Sequence, residues 1–89
     1  MARAIRYSTR GAWRSHARDA PGVSTALTRL GKRLRELRKA RGLTQEQVAE
    51  KAKIDPKHWQ ELEGGRTNPT LATLVGVAKA LGVKLADLF

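Results

Sequence analysis

The side chains of this sequence that could do chemistry are mostly cationic. The 89 residues contain 18 Lys and Arg against 8 Asp and Glu, which gives a formal net charge of +10. Such an excess is typical of proteins that bind polyanions, although a solubility role is the simpler alternative.

Other kinds of site have little support in the sequence. There is no cysteine, and the two histidines, His16 and His58, share no ligand-like spacing, so we expect no disulfide and no metal site. We also find no nucleophile–base set, no paired carboxylates and no phosphate-cradling glycine loop, and therefore expect neither enzyme activity nor a cofactor.

The polar residues of the segment from Leu43 to Arg66 are arranged around two helix starts. Thr44 followed by Gln47 is the pattern of a capping box, and Asp55-Pro56 places a good N-cap before a proline at the first helical position. Because Pro56 forbids one continuous helix, the chain must bend near Lys53. The segment therefore predicts two short helices joined by a tight corner, a helix-turn-helix.

Three further segments supply the rest of the fold. A long helix is predicted from a cap at Ser24 or Thr25 to about Arg41, where Gly42 ends it. A fourth helix is predicted from Leu71 to Leu81 after a cap at Thr70, and a short fifth element from Val83 to Phe89. Since no strand periodicity occurs, the prediction is an all-α, compact five-helix domain.

Apolar residues at helical spacing predict the core of this domain. The inward-facing set is Leu27, Leu30, Leu34, Leu37, Val48, Ala49, Ala52, Trp59, Leu62, Leu74, Val75, Ala78 and Leu81. No apolar run approaches the roughly 20 residues that a membrane-spanning helix needs, so we expect no membrane association.

Residues 1–23 differ in composition from residues 24–89, to which we assign the helix-turn-helix domain. This basic N-terminal extension contains five arginines and a single acid, Asp19. It could be a flexible arm that lies along phosphates, an organelle transit peptide or an extension without a role. Tyr7 and Trp13 could add stacking or partner contacts to the arm.

The stretches LRELRKARGLTQEQVAEKA, LEGGRTNP and LATLVGVAKALGVKLADLF resemble, in order and spacing, the lambda-repressor-like (XRE-type) helix-turn-helix family. The resemblance extends from Leu30 to Phe89. The family includes restriction–modification controller proteins and antitoxins of the same single-domain format. It implies a DNA-binding transcriptional regulator whose third helix, at about 56–63, enters the major groove of double-stranded DNA.

The resemblance also implies roles for individual residues. Base edges would be read by Pro56, Lys57, Gln60 and Glu61. Phosphates would be bound by Thr44, Gln45, His58, Arg66 and Asn68. Arg38 and Glu63 would form a partly buried ion pair between the first and third helices.

Three positions depart from the family pattern. Lys53 replaces the glycine usual at the turn and must adopt a left-handed or alternative conformation. Asp55 and Glu61 bring negative charge to the presumed DNA face, where Glu61 could accept a hydrogen bond from cytosine N4 but would repel phosphate.

The leading hypothesis is thus a sequence-specific DNA-binding regulator that acts as a homodimer, in a cytoplasmic, bacterial or phage-like setting close to the nucleoid. The alternative is an antitoxin or another protein-interaction module that uses residues 1–23 to bind a partner protein such as a toxin.

Overall fold

The computed structural model describes residues 22–89, and the arm predicted at residues 1–23 lies almost entirely outside them. The described chain consists of α1 (Val23–Ala40), α2 (Gln45–Ala52), α3 (Pro56–Glu63), α4 (Leu71–Leu81) and a 3₁₀ helix (Leu85–Leu88). No strand occurs in this range, which confirms the all-α prediction. The predicted fifth helix is a single 3₁₀ turn within Val83 to Phe89, so residues 22–89 contain four α-helices.

Local capping explains where most of these helices begin and end. Thr70 accepts a hydrogen bond from the Thr73 amide at 3.1 Å and starts α4 as predicted. Gly42 and Gly82 follow α1 and α4 with φ of 67° and 70°, the left-handed conformation that glycine adopts without a steric penalty. These three signals lie within a few residues of the ends that they determine.

The predicted start of α1 is wrong. The helix begins at Val23, and the residue before it, Gly22, has a φ of 92° and makes no side-chain capping bond. Ser24 lies inside the first turn, where its carbonyl accepts a hydrogen bond from the Thr28 hydroxyl at 3.0 Å. The Gly22 carbonyl already accepts the first helical bond, from Ala26, so helical geometry begins before either predicted cap.

One hydrophobic core joins the four α-helices and the 3₁₀ helix. Its buried residues are Leu30, Leu34, Leu37, Val48, Ala49, Trp59, Leu62, Leu74, Val77, Ala78, Leu81 and Leu88. Ala52 packs against this cluster while partly buried, and Leu27 is also only partly buried.

The prediction for α4 was wrong at Val75, which is 42 % exposed. Val77 is fully buried in its place, because Leu74, Val77, Ala78 and Leu81 follow the helical spacing of three, four and seven residues. Val75 lies about 100° around the helix from Leu74, away from the core.

Helices α1 and α3 cross at very short range. A Cβ atom added to Gly31 of α1 would lie 2.7 Å from the Leu62 carbonyl oxygen and closer still to that of Glu63. Only glycine allows this approach, which brings the C-terminal end of α3 against the middle of α1.

Candidate nucleic-acid interface

The corner between α2 and α3 has the geometry expected of a helix-turn-helix. The Thr44 hydroxyl accepts from the Gln47 amide at 3.0 Å, and the Gln47 side chain accepts from the Thr44 amide at 2.9 Å, which confirms the capping box. Asp55 caps α3 through the Lys57 amide at 2.8 Å, with Pro56 at the first helical position. Both helix starts are therefore fixed by residues of the corner segment itself.

Lys53 makes the turn between these two helices in the left-handed conformation, with φ 60° and ψ 43°. It is the only residue other than glycine with a positive φ in residues 22–89. Its amide donates to the Glu50 carbonyl, and the next amide, of Ile54, donates to the Ala49 carbonyl at 3.0 Å. These bonds close α2 without a glycine, at a steric cost of about 1 kcal/mol.

The Glu63 carboxylate, at the end of α3, holds three helices together. Arg38 of α1 binds it in bidentate fashion, with Nε–Oε2 at 2.5 Å and Nη2–Oε1 at 3.1 Å. The side-chain amide of Gln45 donates to Oε1 at 3.1 Å, and the indole N–H of Trp59 donates to Oε2. The two charged side chains are 11 % and 7 % exposed, so the pair is largely withdrawn from water.

Burial of Glu63 favours its neutral form, but the hydrogen bonds from Arg38, Trp59 and Gln45 and the positive charge of Arg38 outweigh this effect. Together they hold the pKa of Glu63 below its ordinary value. Arg38 also donates through Nη1 to the Leu43 carbonyl at 2.9 Å. The carboxylate is therefore charged at neutral pH and fixes the beginning of α2 relative to α1 and α3.

Three of the four base-reading candidates, Lys57, Gln60 and Glu61, lie on the side of α3 opposite its buried face, whereas Pro56 lies at the edge between the two. Trp59 and Leu62 point into the core, whereas Pro56, Lys57 and Gln60 are exposed and Glu61 is partly exposed. Lys57, Gln60 and Glu61 are spaced by three and four residues and so share one helix face. Near this face, Nδ1 of the half-buried His58 lies 3.9 Å from the Glu61 carboxylate.

Four of the five phosphate candidates lie in two chain segments outside α3, and the fifth, His58, lies within α3. Thr44 and Gln45 begin α2, where the helix dipole and the first-turn amides that the capping box leaves unpaired favour an anion. Arg66 and Asn68 are exposed in the segment after α3, and the Arg66 amide is bound to the Glu61 carbonyl at 2.9 Å. Because Gln45 donates to Glu63, the start of α2 lies beside the end of α3. The segment with Arg66 and Asn68 follows directly after that end, so the two groups of phosphate candidates are neighbours.

Sequence reasoning missed two features of this region. The side-chain amide of Gln45, assigned to a phosphate, is engaged with Glu63, and Trp59 is both a core residue and a donor to the same carboxylate. The spacing of four residues between Trp59 and Glu63 was a usable signal for the second contact. Gln45 is 18 residues from Glu63 in the chain, and no sequence pattern indicates that contact.

A comparison with protein families decides the classification. Residues 29–88 match the family model described as a helix-turn-helix domain. The chain belongs to this family. Its relatives include repressors and transcriptional regulators, which are DNA-binding proteins of the XRE type and not enzymes.

Two curated relatives illustrate the similarity. The chain is 44 % identical over 57 residues to an immunity repressor protein of Bacillus phage phi105, covering 64 % of the chain and 40 % of the relative. It is 45 % identical over 60 residues to the HTH-type transcriptional regulator DdrOP3 of Deinococcus deserti, covering 67 % and 46 %. The chain thus spans less than half of the length of each of these relatives.

Two solved structures, of a controller protein and of a gene regulator, superpose on this chain and support the classification. The restriction–modification controller protein C.AhdI of Aeromonas hydrophila superposes with a TM-score of 0.72 at 37 % identity, covering 73 % of this chain and 98 % of that protein. The clp gene regulator ClgR of Corynebacterium glutamicum superposes with a TM-score of 0.65 at 36 % identity, covering 68 % and 79 %. Within residues 22–89, no helix combines the length and apolar character that crossing a membrane requires.

Proposed function

We propose that this protein regulates transcription by binding double-stranded DNA in a sequence-specific manner, with α3 in the major groove. The observation that carries the proposal is the outward face of α3, on which Lys57, Gln60 and Glu61 lie together, opposite a buried face that anchors the helix. Lysine and glutamine are common donors to guanine and adenine edges, and a carboxylate can accept from cytosine N4.

Backbone contacts would orient this helix in the groove. We assign them to Thr44 and the backbone amide of Gln45 at the start of α2, and to Arg66 and Asn68 after α3. His58 is a further candidate. The net charge of +10 supports this assignment, because an excess of cations favours association with a polyanion.

The test is a mobility-shift titration of the full chain against genomic fragments of the source organism at rising salt. With roughly six phosphate contacts per protomer, we expect affinity to fall by about three orders of magnitude between 50 and 200 mM salt. A double variant, Lys57→Ala with Gln60→Ala, should lose discrimination between sites, whereas Lys79→Ala, which removes an exposed cation from α4, should behave like the parent. An absent or salt-insensitive shift would refute the proposal.

We also propose that the protein binds DNA as a homodimer, in a cytoplasmic, nucleoid-associated setting. Two copies of α3 about 34 Å apart would read an inverted repeat. Leu71 and Val75, one turn apart on α4 and 65 % and 42 % exposed, offer an apolar surface for the partner copy.

Light scattering on the full chain would measure the mass, and Val75→Glu should shift it towards the monomer. Ala40→Glu adds the same charge at an exposed position of α1 and is the control. A monomeric parent bound to an operator without two-fold symmetry would exclude the dimer. A partner protein bound through residues 1–23 stays a prediction.

A further inference from the structure

A second surface of the domain lies between α1 and the 3₁₀ helix. It is a groove of about 430 Å³ with an apolar floor and a charged rim. Its lining residues are Ala26, Arg29, Leu30, Lys32, Arg33, Glu36, Leu88 and Phe89. Leu30 and Leu88 form the buried floor, and Phe89 is a wall that is 76 % exposed.

This groove and the recognition helix lie on opposite sides of α1. Gly31 faces α3, as its contact with the end of that helix shows. Arg29 and Arg33 are each two residues away from Gly31 and therefore roughly 200° around the helix axis. Arg33 accordingly reaches the 3₁₀ helix, where its Nε donates to the Asp87 carbonyl at 2.8 Å. A ligand in the groove would leave α3 accessible.

The rim selects the charge of that ligand. Arg29, Lys32 and Arg33 contribute three cations against the single acid Glu36. Residues 1–21, with five arginines and one acid, have the same sign as this rim and are an unfavourable occupant. A second copy of the groove would bring the same three cations together again, so self-association through it is also disfavoured.

Nucleic acid fits the groove less well than protein does. Phosphates would meet a leucine floor and a phenylalanine wall, and they would face Glu36, whose carboxylate lies 3.7 Å from Arg33 Nη1. Apolar floors with charged rims suit amphipathic helices, which place apolar anchors in the groove and complementary charges at its edges.

We infer that the groove between α1 and the 3₁₀ helix is a docking site for an acidic amphipathic helix of another protein. Its apolar side chains would pack on Leu30, Leu88 and Phe89, and its carboxylates would face Arg29 and Lys32. Docking there requires no contact with DNA, so it would occur on the free protein as well as on a DNA-bound one.

The test uses the isotope-labelled full chain and a synthetic helical peptide with leucine at positions i, i+3, i+4 and i+7 and glutamate on both flanks. In about 0.15 M salt, where exposed charges are screened beyond about 8 Å, we expect amide shifts concentrated on the groove residues. The same peptide with lysine in place of glutamate should bind at least roughly tenfold more weakly.

Three variants separate the groove from general attraction by a basic protein. Phe89→Ala should weaken peptide binding roughly tenfold, and Lys32→Glu should weaken it severalfold. Lys39→Glu makes the same charge change on α1 outside the groove and should have little effect. Both Phe89 and Lys32 are exposed, so these variants are expected to fold.

Four results would overturn the proposed docking site. Absence of shifts at the groove, equal binding of the lysine peptide, or equal loss with Lys39→Glu would overturn the docking site. A short DNA duplex that shifts the same groove amides and displaces the peptide would make this surface a nucleic-acid contact and would also overturn it. None of these results depends on whether α3 reads a base sequence.

Discussion

Arg38 and Glu63 form a bidentate ion pair that joins α1 to the end of α3, and the same carboxylate accepts hydrogen bonds from Gln45 and Trp59. Its four donors come from three helices. The structural consequence is that the position of α3 depends on an ion pair that is shielded from water.

Replacing Arg38 with methionine should therefore destabilise the domain. It leaves the Glu63 carboxylate buried without its cation, a change that typically costs about 3–5 kcal/mol in the free energy of unfolding. Urea denaturation would measure this loss, with Arg35→Met on the exposed face of α1 as the matched control. The double variant Arg38→Met with Glu63→Leu should be more stable than Arg38→Met alone. A loss below about 1 kcal/mol for the single variant would contradict the role assigned to the pair.

The pH dependence of stability should report the same carboxylate. Because the folded-state pKa of Glu63 is lowered, its contribution is fully present above the ordinary value of 4.5 and is lost as the pH falls through the folded value. The free energy of unfolding should thus decrease below about pH 5, and Glu63→Gln should reduce this slope. Urea denaturation of the parent and of Glu63→Gln at several pH values from 7 to 3 would measure this dependence. If the free energy of unfolding of the two proteins falls equally with pH, the pKa of Glu63 is not lowered.

Gly31 should be intolerant of even a methyl group. Gly31→Ala places Cβ against the Leu62 and Glu63 carbonyls, and such overpacking typically costs about 1–3 kcal/mol. Gly76→Ala in α4 is the control, since its Cβ would meet only the Ala52 carbonyl oxygen, at 3.8 Å. That variant should gain up to about 1 kcal/mol from helix propensity. Thermal unfolding of the two proteins should therefore shift in opposite directions.

The turn between α2 and α3 should respond to the conformational preference of residue 53. Lys53→Gly removes the left-handed penalty and should raise the free energy of unfolding by up to about 1 kcal/mol, less the entropy that glycine adds to the unfolded chain. Lys53→Val should lower it, because a β-branched residue is a strong outlier at positive φ. If both variants unfold at the same urea concentration as the parent, the turn is not under this constraint.

Replacing Glu61 tests base reading by α3 most directly. If α3 enters the major groove as proposed, Glu61→Ala should relax the preference at one base pair by about 1–3 kcal/mol, because a carboxylate accepts from cytosine N4. Binding to single-base variants of a selected site would measure this, with Glu50→Ala on the exposed side of α2 as the control. Unchanged discrimination with uniformly tighter binding would show that Glu61 only repels phosphate.

The sequence alone determined the features that depend on near neighbours. The capping box of Thr44 and Gln47, the Asp55-Pro56 start of α3, and the glycines after α1 and α4 are contacts or conformations within four residues, so their residue types suffice to predict them. The apolar spacing of α1, α2 and α3 likewise predicted most of the core. Together these signals were enough for an all-α helix-turn-helix domain.

Only the tertiary structure decided the features that depend on how helices meet. In the structure Val77 rather than Val75 lies in the core, Gln45 donates to Glu63, and Arg33 donates to Asp87. Such contacts join residues far apart in the chain, and their geometry follows from helix crossing angles and close approaches such as that at Gly31. The Arg38–Glu63 pair was expected from the family resemblance. Because local propensity carries no information on helix crossings, the hydrogen bond from Gln45 to Glu63 and the groove beside α1 became visible only in the packed structure.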